Sequence, residues 1–255
     1  MEPETIFKVD HVSYAYEGKH TALDDVSLHV KAGECPVVLG ANGCGKSTLL
    51  MLLDGLYFPT QGTITAFGKL LTEQDLRDDE YNFNFRRRVG LIFQDSDVQL
   101  FSPSVLDEVA FAPLQLGLTR DEVSQRVEFA LKSLRIEKLR DRAPHRLSGG
   151  EKRRVALASL LSLQPDVWLM DEPTAGLDPR SQSWLVDFIL QQRAEGKTVI
   201  TATHDLSIVQ LIASHIFVFD EDHHIAAIGS PQEILGDHEL LHRCNLVHYH
   251  LAWNT

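Results

Sequence analysis

The sequence is poor in cysteine, in long apolar runs and in net positive charge, and each shortage excludes a class of protein. Its three cysteines, Cys35, Cys44 and Cys244, are too widely spaced for a disulfide framework or a CxxC metal site, which indicates a reducing compartment. No apolar run approaches the roughly 18 residues of a membrane span. The acidic start lacks the apolar core of a signal peptide. We therefore expect a cytosolic chain, so that any membrane work depends on a partner.

The shortage of basic residues is relevant to whether the chain binds nucleic acids. Against 36 Asp and Glu there are 24 Lys and Arg, which gives a formal net charge of −12. Proteins whose main task is to bind a phosphate backbone usually carry a basic surface, so the charge argues against that task. A hydrophobic share of 44% is ordinary for a globular chain and excludes a disordered, collagenous or coiled-coil one.

Hydrophobic periodicity predicts an α/β protein. Residues 6–30 alternate between apolar and polar, which is typical of half-buried antiparallel strands, and the apolar run at residues 37–40 predicts a buried strand followed by a helix from Ser47. Later strands are predicted at residues 167–170, 199–202 and 216–219, with a helix at 182–193 that Gly196 ends. Strands that alternate with helices favour a parallel sheet with right-handed crossovers.

The middle of the chain is predicted to be helical. Residues 69–88 are charged with little periodicity, which predicts a solvated connection or a surface helix. A helical region is expected over about residues 103–162, and within it Thr119 and Glu122 have capping-box spacing ahead of an apolar stripe.

Residues 40–47 match the pattern G-x-x-x-x-G-K-[ST], with Gly40, Gly45, Lys46 and Ser47 at its fixed positions. Small residues let successive backbone N–H groups converge on phosphate oxygens, and the following helix adds the positive end of its dipole. The lysine reaches the β- and γ-phosphates, and the serine offers a hydroxyl to Mg²⁺. Because the predicted context is strand, glycine turn and helix, we predict a nucleotide-binding P-loop rather than a purely structural turn.

Two adjacent carboxylates, Asp171 and Glu172, follow the apolar strand at residues 167–170. The carboxyl ends of parallel strands are where such sheets bind ligands. We expect Asp171 to hold Mg²⁺, through water, and Glu172 to orient or deprotonate the attacking water in an in-line phosphoryl transfer. Two solvated surface acids are the alternative.

Residues 147–151, Leu-Ser-Gly-Gly-Glu, open another predicted helix. Ser148 suits the N-cap, and Gly149 and Gly150 let an anion approach the exposed N–H groups. A capping serine beside glycines is common at helix starts, so this segment is a weak signal by itself. After a P-loop, it indicates a second anion-binding helix end in the same chain.

The order of these segments resembles that of the ATPase subunits of ABC transporters. Besides the P-loop, the serine-glycine signature and the acidic pair, Gln94 matches the Q-loop, residues 175–178 match the D-loop and His204 matches the H-loop, so the resemblance covers about residues 5–230. It implies a mixed α/β fold: a P-loop NTPase parallel-sheet core, an N-terminal antiparallel β subdomain and an inserted α-helical subdomain.

The domain boundaries follow from the same resemblance. The ATP-binding domain is expected at residues 5–230, its helical subdomain at about 95–162, and a short His-rich C-terminal extension at 231–255.

The resemblance implies a role for each matching residue. Glu172, Gln94 and His204 would be catalytic: Gln94 contacts Mg²⁺ and the attacking water, and His204 hydrogen-bonds the γ-phosphate and holds Glu172. Tyr16 would stack on adenine, with Tyr14 as the competing choice. The other ATP-binding positions would be Asn42, Gly43, Cys44, Gly45, Lys46, Ser47 and Thr48 of one copy and Ser148, Gly149, Gly150 and Asp178 of a second. The Mg²⁺ positions would be Ser47, Gln94 and Asp171.

The implied assembly is a head-to-tail dimer that sandwiches two ATP molecules. ATP binding closes it, and hydrolysis lets it reopen, so that chemical energy becomes motion. Whether two identical chains or a related pair form the dimer stays open at this level.

Residues 94–117 resemble energy-coupling-factor importers, in particular their cobalt and nickel uptake ATPases; a vitamin importer of the same type is the alternative. This implies a peripheral ATPase on the cytoplasmic face of the cell membrane. Its partners would be an integral membrane coupling protein and a substrate-binding membrane component. Leu100, Phe101, Val105 and Phe111 are expected either to line an apolar groove for the coupling helix or to pack in the core.

A soluble ABC ATPase that acts on DNA or ribosomes is the rival class. DNA-repair relatives need a long coiled-coil insertion, which residues 47–147 cannot contain, and translation-factor relatives carry two ATPase units where this chain has one. The net negative charge speaks against both, so we expect no nucleic-acid partner.

Two further features have consequences of their own. Cys44 lies inside the P-loop, which predicts a thiol whose modification ATP blocks.

Histidines concentrate near the end of the chain, at His223, His224, His238, His242, His248 and His250. A solvated tail is the expected reading, with metal binding by His238 and His242 near Cys244 as the alternative.

Overall fold

The computed structural model describes residues 4–247, which divide into two compact units. Within that range the first unit takes the residues up to 73 and from 189 onward, and the second takes residues 74–188. The strands in chain order are β1 (Thr5–Tyr16), β2 (His20–Lys31), β3 (Val37–Leu39), β4 (Gln61–Ala66), β5 (Lys69–Leu70), β6 (Val89–Ile92), β7 (Val167–Asp171), β8 (Thr198–Thr203), β9 (Ile216–Phe219) and β10 (Ile225–Gly229). The helices in chain order are α1 (Lys46–Leu53), α2 (Asp79–Arg88), α3 (Val105–Gln115), α4 (Arg120–Ser133), α5 (Gly149–Leu161), α6 (Pro179–Ala194), α7 (Leu206–Ile212), α8 (Pro231–Gly236) and α9 (His238–Arg243).

An antiparallel sheet forms the start of the first unit, in the order β2-β1-β4-β5. Phe7 pairs with Val30 and Val9 with Leu28, and all four side chains are buried because alternate residues face the same side of the sheet. The antiparallel pair predicted from the alternation at residues 6–30 is confirmed.

The first unit also holds the strands β10, β9, β3 and β8, in that order. β3 runs parallel to both β8 and β9, whereas β10 pairs antiparallel with β9. Val37 lies opposite Thr201 and Leu39 opposite Thr203, so β3 and β8 end at the same edge. The residues that follow them, Gly40 and His204, are therefore neighbours.

In the second unit β6 and β7 pair in parallel. Ile92 lies opposite Met170, so the loop that contains Gln94 and the pair Asp171 and Glu172 both follow strand ends at one edge. Helices α3, α4 and α5 pack on one another beside this strand pair.

Most predicted elements form, with shifted ends. The helical region expected at about 103–162 consists of the separate helices α3, α4 and α5, and Thr119 and Glu122 make the predicted capping box of α4. The charged stretch contains a surface helix, α2. The helix expected at 182–193 begins earlier, at Pro179, and Gly196 follows it with φ of 79°. The structure also contains the strands β4, β6 and β10, which the sequence pattern does not predict.

The C-terminal histidines do not form a metal cluster where the structure describes them. His238 and His242 belong to α9 and are exposed, whereas Cys244 is fully buried. Over residues 4–247 no group of three or more His, Cys, Asp or Glu side chains is arranged to hold a metal ion. His248 and His250 lie outside the described residues.

The domain boundaries at 5–230, 95–162 and 231–255 stay predictions.

The capping box of α4 predicts how the stability of the fold depends on pH. Hydrogen bonds from the Thr119 hydroxyl and backbone N–H lower the pKa of Glu122 below its usual 4.5. A carboxyl whose pKa is lower in the folded state stabilises the fold above the unfolded pKa and loses that contribution as the pH falls through the folded pKa. Glu122→Gln should therefore lower the urea midpoint at pH 7 and have less effect at pH 3. An equal loss at both pH values in urea titrations would contradict this origin.

Candidate functional site

The P-loop lies between β3 and α1. Gly45 occupies the N-cap of α1 with φ of 110°, and, in the described chain, no side chain caps this helix. The amides of the first turn of a helix lack intrahelical partners. The start of α1 therefore offers N–H groups and a positive dipole end to an anion.

Two glycines of this turn are required by the packing around them. A Cβ on Gly45 would collide with the carbonyl oxygen of Ala22 on β2, and one on Gly40 would lie 2.5 Å from the Sγ atom of Cys44. Gly43 has φ of 87°, which L side chains rarely adopt. The tight turn follows from these contacts.

The side chain of Lys46 extends back over the P-loop and places its positive charge there. Its ammonium group donates hydrogen bonds to the carbonyl oxygens of Gly40 at 2.8 Å and of Ala41 at 3.0 Å, and the residue is only 5% exposed. Of the neighbouring predicted site residues, Asn42 is exposed, Ser47 is half-buried and Thr48 is buried. The cation is thus held over the turn by the chain itself.

Cys44 is shielded within the P-loop. The residue is 2% exposed, and burial raises the pKa of its thiol. Because the thiolate is the reactive form, burial disfavours reaction at this sulfur. A thiol whose modification ATP blocks stays a prediction.

Tyr16 contacts the P-loop helix. Its hydroxyl lies 3.0 Å from Oγ1 of Thr48 on α1, and its ring is exposed. The competing Tyr14 is half-buried, and its ring stacks on Tyr57 with the centroids 5.4 Å apart. The geometry favours Tyr16 over Tyr14 for a base that stacks beside the P-loop.

His204 lies next to the P-loop because of the strand register. The backbone N–H of Gly40 donates to the carbonyl oxygen of Thr203 at 3.3 Å, and His204 follows directly with an exposed side chain. Asp205 caps α7 and so ends the segment. The histidine is in reach of a ligand bound at the turn.

The acidic pair in the second unit is buried and strained. Asp171 is 5% exposed and Glu172 is 4% exposed. Glu172 has φ of 41°, in the left-handed region, which costs a non-glycine residue about 1–2 kcal/mol. Strained backbone that the surroundings maintain is often found at functional sites.

Gln94 lies in the loop after β6, with its side chain exposed. Arg153 of α5 holds this loop: its Nη1 atom donates to the carbonyl oxygen of Phe93 at 2.6 Å and its Nη2 atom to that of Gln94 at 2.5 Å. The sequence analysis missed Arg153, because nothing in one sequence distinguishes a buried arginine from its solvated neighbours.

The signature helix α5 begins as predicted. Ser148 is its N-cap and forms a capping box with Glu151, whose pKa is lowered by hydrogen bonds from the Ser148 backbone and hydroxyl. A Cβ on Gly149 would meet no atom within 4 Å, and one on Gly150 would lie 3.5 Å from Oγ of Ser181. Neither residue needs to be glycine for the packing of this chain.

A cavity of about 480 Å³ adjoins this helix start. Its lining combines Ser148 and Gly150 with the cationic side chains of Arg135, Lys138 and Arg154. The carboxylates of Glu151 and Asp178 also line it, so the cations outnumber the anions by one. A helix N-terminus with this excess of positive charge suits an anion.

Asp178 lines the same cavity. Its carboxylate accepts hydrogen bonds from the backbone N–H groups of Arg180 at 3.0 Å and Ser181 at 3.1 Å and from the Ser181 hydroxyl at 2.8 Å. These bonds lower its pKa. Within the chain, Asp178 therefore caps the start of α6.

The donors expected for a metal ion are Ser47, Gln94 and Asp171. They offer a hydroxyl, an amide oxygen and a carboxylate, which are the hard oxygen ligands that Mg²⁺ prefers. Mg²⁺ is usually bound by one or two carboxylates together with substrate phosphates. The donor set fits Mg²⁺ in chemical type.

An apolar surface patch lies near the Gln94 loop in the second unit. Val98 is 70% exposed, Phe101 67%, Leu114 54% and Phe111 42%, and the rings of Phe101 and Phe111 are in edge contact. Val105 is fully buried and packs in the core, which is the second of the two alternatives expected for these side chains. Leu100 is half-buried.

The strand, glycine turn and helix, together with the acidic residues after β7, define a P-loop NTPase. The family comparison narrows this class, since the sequence pattern described as ABC transporter matches residues 23–175. The chain belongs to the ABC transporter ATP-binding family and is an ATPase coupled to transport.

Named relatives cover nearly the whole chain. The nickel import ATP-binding protein NikO of Rhodobacter capsulatus is 47% identical over 94% of this chain and 95% of its own length. The energy-coupling factor transporter ATP-binding protein EcfA of Methanothermobacter thermautotrophicus is 41% identical over 92% of this chain and 74% of its own. The structure of cbiO1 from Clostridium perfringens, described as part of the ABC transporter complex cbiONQ, aligns with a TM-score of 0.81 at 38% identity, covering 95% of each chain.

These comparisons confirm the predicted family and the mixed α/β fold with its parallel-sheet core and antiparallel sheet. The chain is most like the energy-coupling-factor ATPases and binds ATP. Among residues 4–247, no helix is both long enough and apolar enough to cross a bilayer.

The position of Lys46 predicts that its removal weakens the binding of ATP. Lys46→Ala removes the cation held across the turn, and we expect ATP affinity to fall at least about thirtyfold, or about 2 kcal/mol. Lys8→Ala is the matched control, because Lys8 is an exposed lysine of the same unit that pairs with Asp10. Calorimetric titration with ATP checks both variants, and unchanged binding by Lys46→Ala would rule out its phosphate role.

Proposed function

We propose that this chain is the ATP-hydrolysing subunit of an energy-coupling-factor importer for cobalt or nickel ions and that it works as a head-to-tail dimer. The observation that carries the proposal is that one chain has two separate helix starts suited to anions, at Gly45 and at Ser148. The names of the relatives support the type of importer and its cargo: nickel import for NikO, energy coupling for EcfA and the cbiONQ complex for cbiO1.

The head-to-tail dimer accounts for the second helix start. Gly149 has open space around it and no positive φ, so the fold of one chain gives no reason for a glycine there. In the lining of the adjoining cavity three cationic side chains outnumber two carboxylates, although the chain as a whole carries −12. An anion that comes from outside the chain explains both facts. We infer that it is the γ-phosphate of ATP on a second copy, or on a related chain, with Asp178 at the dimer interface.

Hydrolysis would use the buried acid of the second unit. Glu172 takes a proton from water while the water oxygen bonds to the γ-phosphorus, and the bond from that phosphorus to the β–γ bridging oxygen breaks to give ADP and phosphate. Gln94 orients the water, and His204 donates to the γ-phosphate and holds Glu172. Ser47, Gln94 and Asp171 would hold Mg²⁺, which neutralises charge on the phosphates.

The adenine would stack on Tyr16, and the P-loop would bind the phosphates through Lys46 and the backbone of its neighbours. This part of the site comprises Asn42, Gly43, Cys44, Gly45, Ser47 and Thr48. Closure of two chains around two ATP molecules links these contacts to motion, because each ATP binds the closed state better than the open one.

The motion would reach the membrane through the apolar patch of Val98, Phe101, Phe111 and Leu114. An amphipathic helix of an integral coupling protein fits such a surface. A buried carboxylate shapes it: Glu108 accepts hydrogen bonds from the backbone N–H groups of Phe101 at 3.0 Å and Ser102 at 2.8 Å. The chain would thus lie on the cytoplasmic face of the membrane, with a separate membrane component that binds the cargo.

The dimer model predicts the effect of a capping serine. With Glu172→Gln to stop turnover, Mg-ATP should convert the chain to a dimer, and adding Ser148→Ala should weaken that dimer at least about tenfold. Thr119→Ala is the matched control, because Thr119 makes the same capping box on α4. Analytical ultracentrifugation with and without Mg-ATP measures both. A monomer at saturating Mg-ATP in the Glu172→Gln parent would refute the sandwich.

The apolar patch predicts a separable defect. In vesicles that contain the copurifying membrane proteins, Phe101→Ser with Phe111→Ser should abolish Co²⁺ or Ni²⁺ uptake while basal hydrolysis stays within about twofold. Phe129→Ser is the control, because Phe129 is an aromatic residue on α4 whose exposure of 49% lies between those of Phe101 and Phe111. Parallel loss of basal hydrolysis would show that these rings belong to the core instead. Uptake of a vitamin rather than a metal ion would assign the chain to the other branch of these importers.

A further inference from the structure

A buried cation on α5 connects two motifs of the proposed site. Arg153 is 4% exposed, and its two terminal nitrogens donate to two consecutive carbonyl oxygens, those of Phe93 and Gln94. Two bonds from one planar guanidinium fix the directions of both peptide groups. The backbone from which the Gln94 side chain extends is therefore oriented by α5.

The buried charge of Arg153 indicates that this side chain does more than fill space. Burying a charge is unfavourable unless partners compensate it. Burial lowers the pKa of Arg153, while the carboxylates of Asp171 and Asp95 raise it. An apolar side chain could fill such a position without desolvating a charge. The cation is thus placed between the end of β7 and the Gln94 loop.

A second contact attaches the same loop to α5. The Nζ atom of Lys152 lies 2.5 Å from Oδ1 of Asp97. Between the loop and the helix start is a cavity of about 230 Å³, lined by Gln94, Gly149 and residues 175–177 among others. The loop is held at two points by consecutive side chains of α5, beside a space that leaves room for a small displacement.

We propose that Arg153 is a positioning residue that couples the Ser148 helix start to the Gln94 loop. Ser148 and Arg153 are separated by about 7.5 Å along one helix, since each residue rises 1.5 Å. A displacement of α5 caused by phosphate at Ser148 is passed through the two carbonyl bonds to Gln94. The inference rests on the proposed roles of Ser148 and Gln94.

Hydrogen exchange in the full-length Glu172→Gln chain tests the coupling. In this parent, Mg-ATP should slow exchange both at residues 148–153 and at residues 93–99. With Arg153→Met added, the response at 148–153 should remain, while the response at 93–99 should fall at least about fivefold. Arg153→Lys keeps the positive charge but lacks the planar fork that matches both carbonyl oxygens, and it should give an intermediate response.

The control is another arginine that binds two carbonyl oxygens. Nη1 of Arg126 donates to Ser162 at 3.3 Å and to Leu163 at 3.1 Å, away from the Gln94 loop. Arg126→Met should leave both exchange responses unchanged. In chains with Glu172 intact, Arg153→Met should lower kcat at least about tenfold with KM for ATP within about twofold.

The outcomes separate the inference from the proposed function. If the loop responds to Mg-ATP in Arg153→Met as it does in the parent, the coupling role is wrong and the dimer model stands. If the parent shows no response at residues 148–153, the proposed function fails and the inference with it. If Arg153→Met does not fold, Arg153→Lys decides: a reduced loop response with an intact response at α5 supports the coupling, and a response equal to the parent's overturns it.

Discussion

The amide groups at helix starts are the feature on which the proposed chemistry depends. At α1 the N-cap is Gly45, which has no side chain to occupy the first-turn N–H groups. At α5 the N-cap is Ser148, whose hydroxyl and backbone N–H both bond to Glu151. An anion at α1 therefore competes with no side-chain cap, whereas one at α5 has to replace the capping-box bonds within the chain. We infer that the first site holds its ligand firmly and that the second is an adjustable contact, as a reversible dimer requires.

The shape of the phosphate cradle depends on packing in the first unit. The carbonyl of Ala22 lies where a side chain on Gly45 would be, so β2 approaches the turn closely. The Tyr16 hydroxyl contacts Thr48 on α1, and the register of β3 with β8 places His204 beside Gly40. The antiparallel sheet thus has a direct part in the site, because it closes the turn and supplies the aromatic ring.

Particular residues show how far prediction from sequence reaches. The P-loop, the acidic pair and the capping boxes were predictable because each depends on neighbours within a few positions of the chain. Val105 and Phe101 are both apolar and four residues apart, yet one is fully buried and the other 67% exposed. Cys44 is shielded by a turn whose packing involves β2, and β6 is too short to show a period. At the turn around Cys44 the deciding contact, between Gly45 and Ala22, comes from a segment distant along the chain.

The sequence by itself determined the family, the nucleotide motifs and most of the strands and helices, because local spacing and periodicity encode them. Tertiary structure decided which of two tyrosines contacts α1 through its hydroxyl and that Glu172 adopts a strained backbone. It also decided that Arg153 rather than Lys152 or Arg154 is buried against the Gln94 loop. Three consecutive basic residues are alike in a sequence. They differ only in the direction in which α5 presents each one, and the packing of that helix sets this direction.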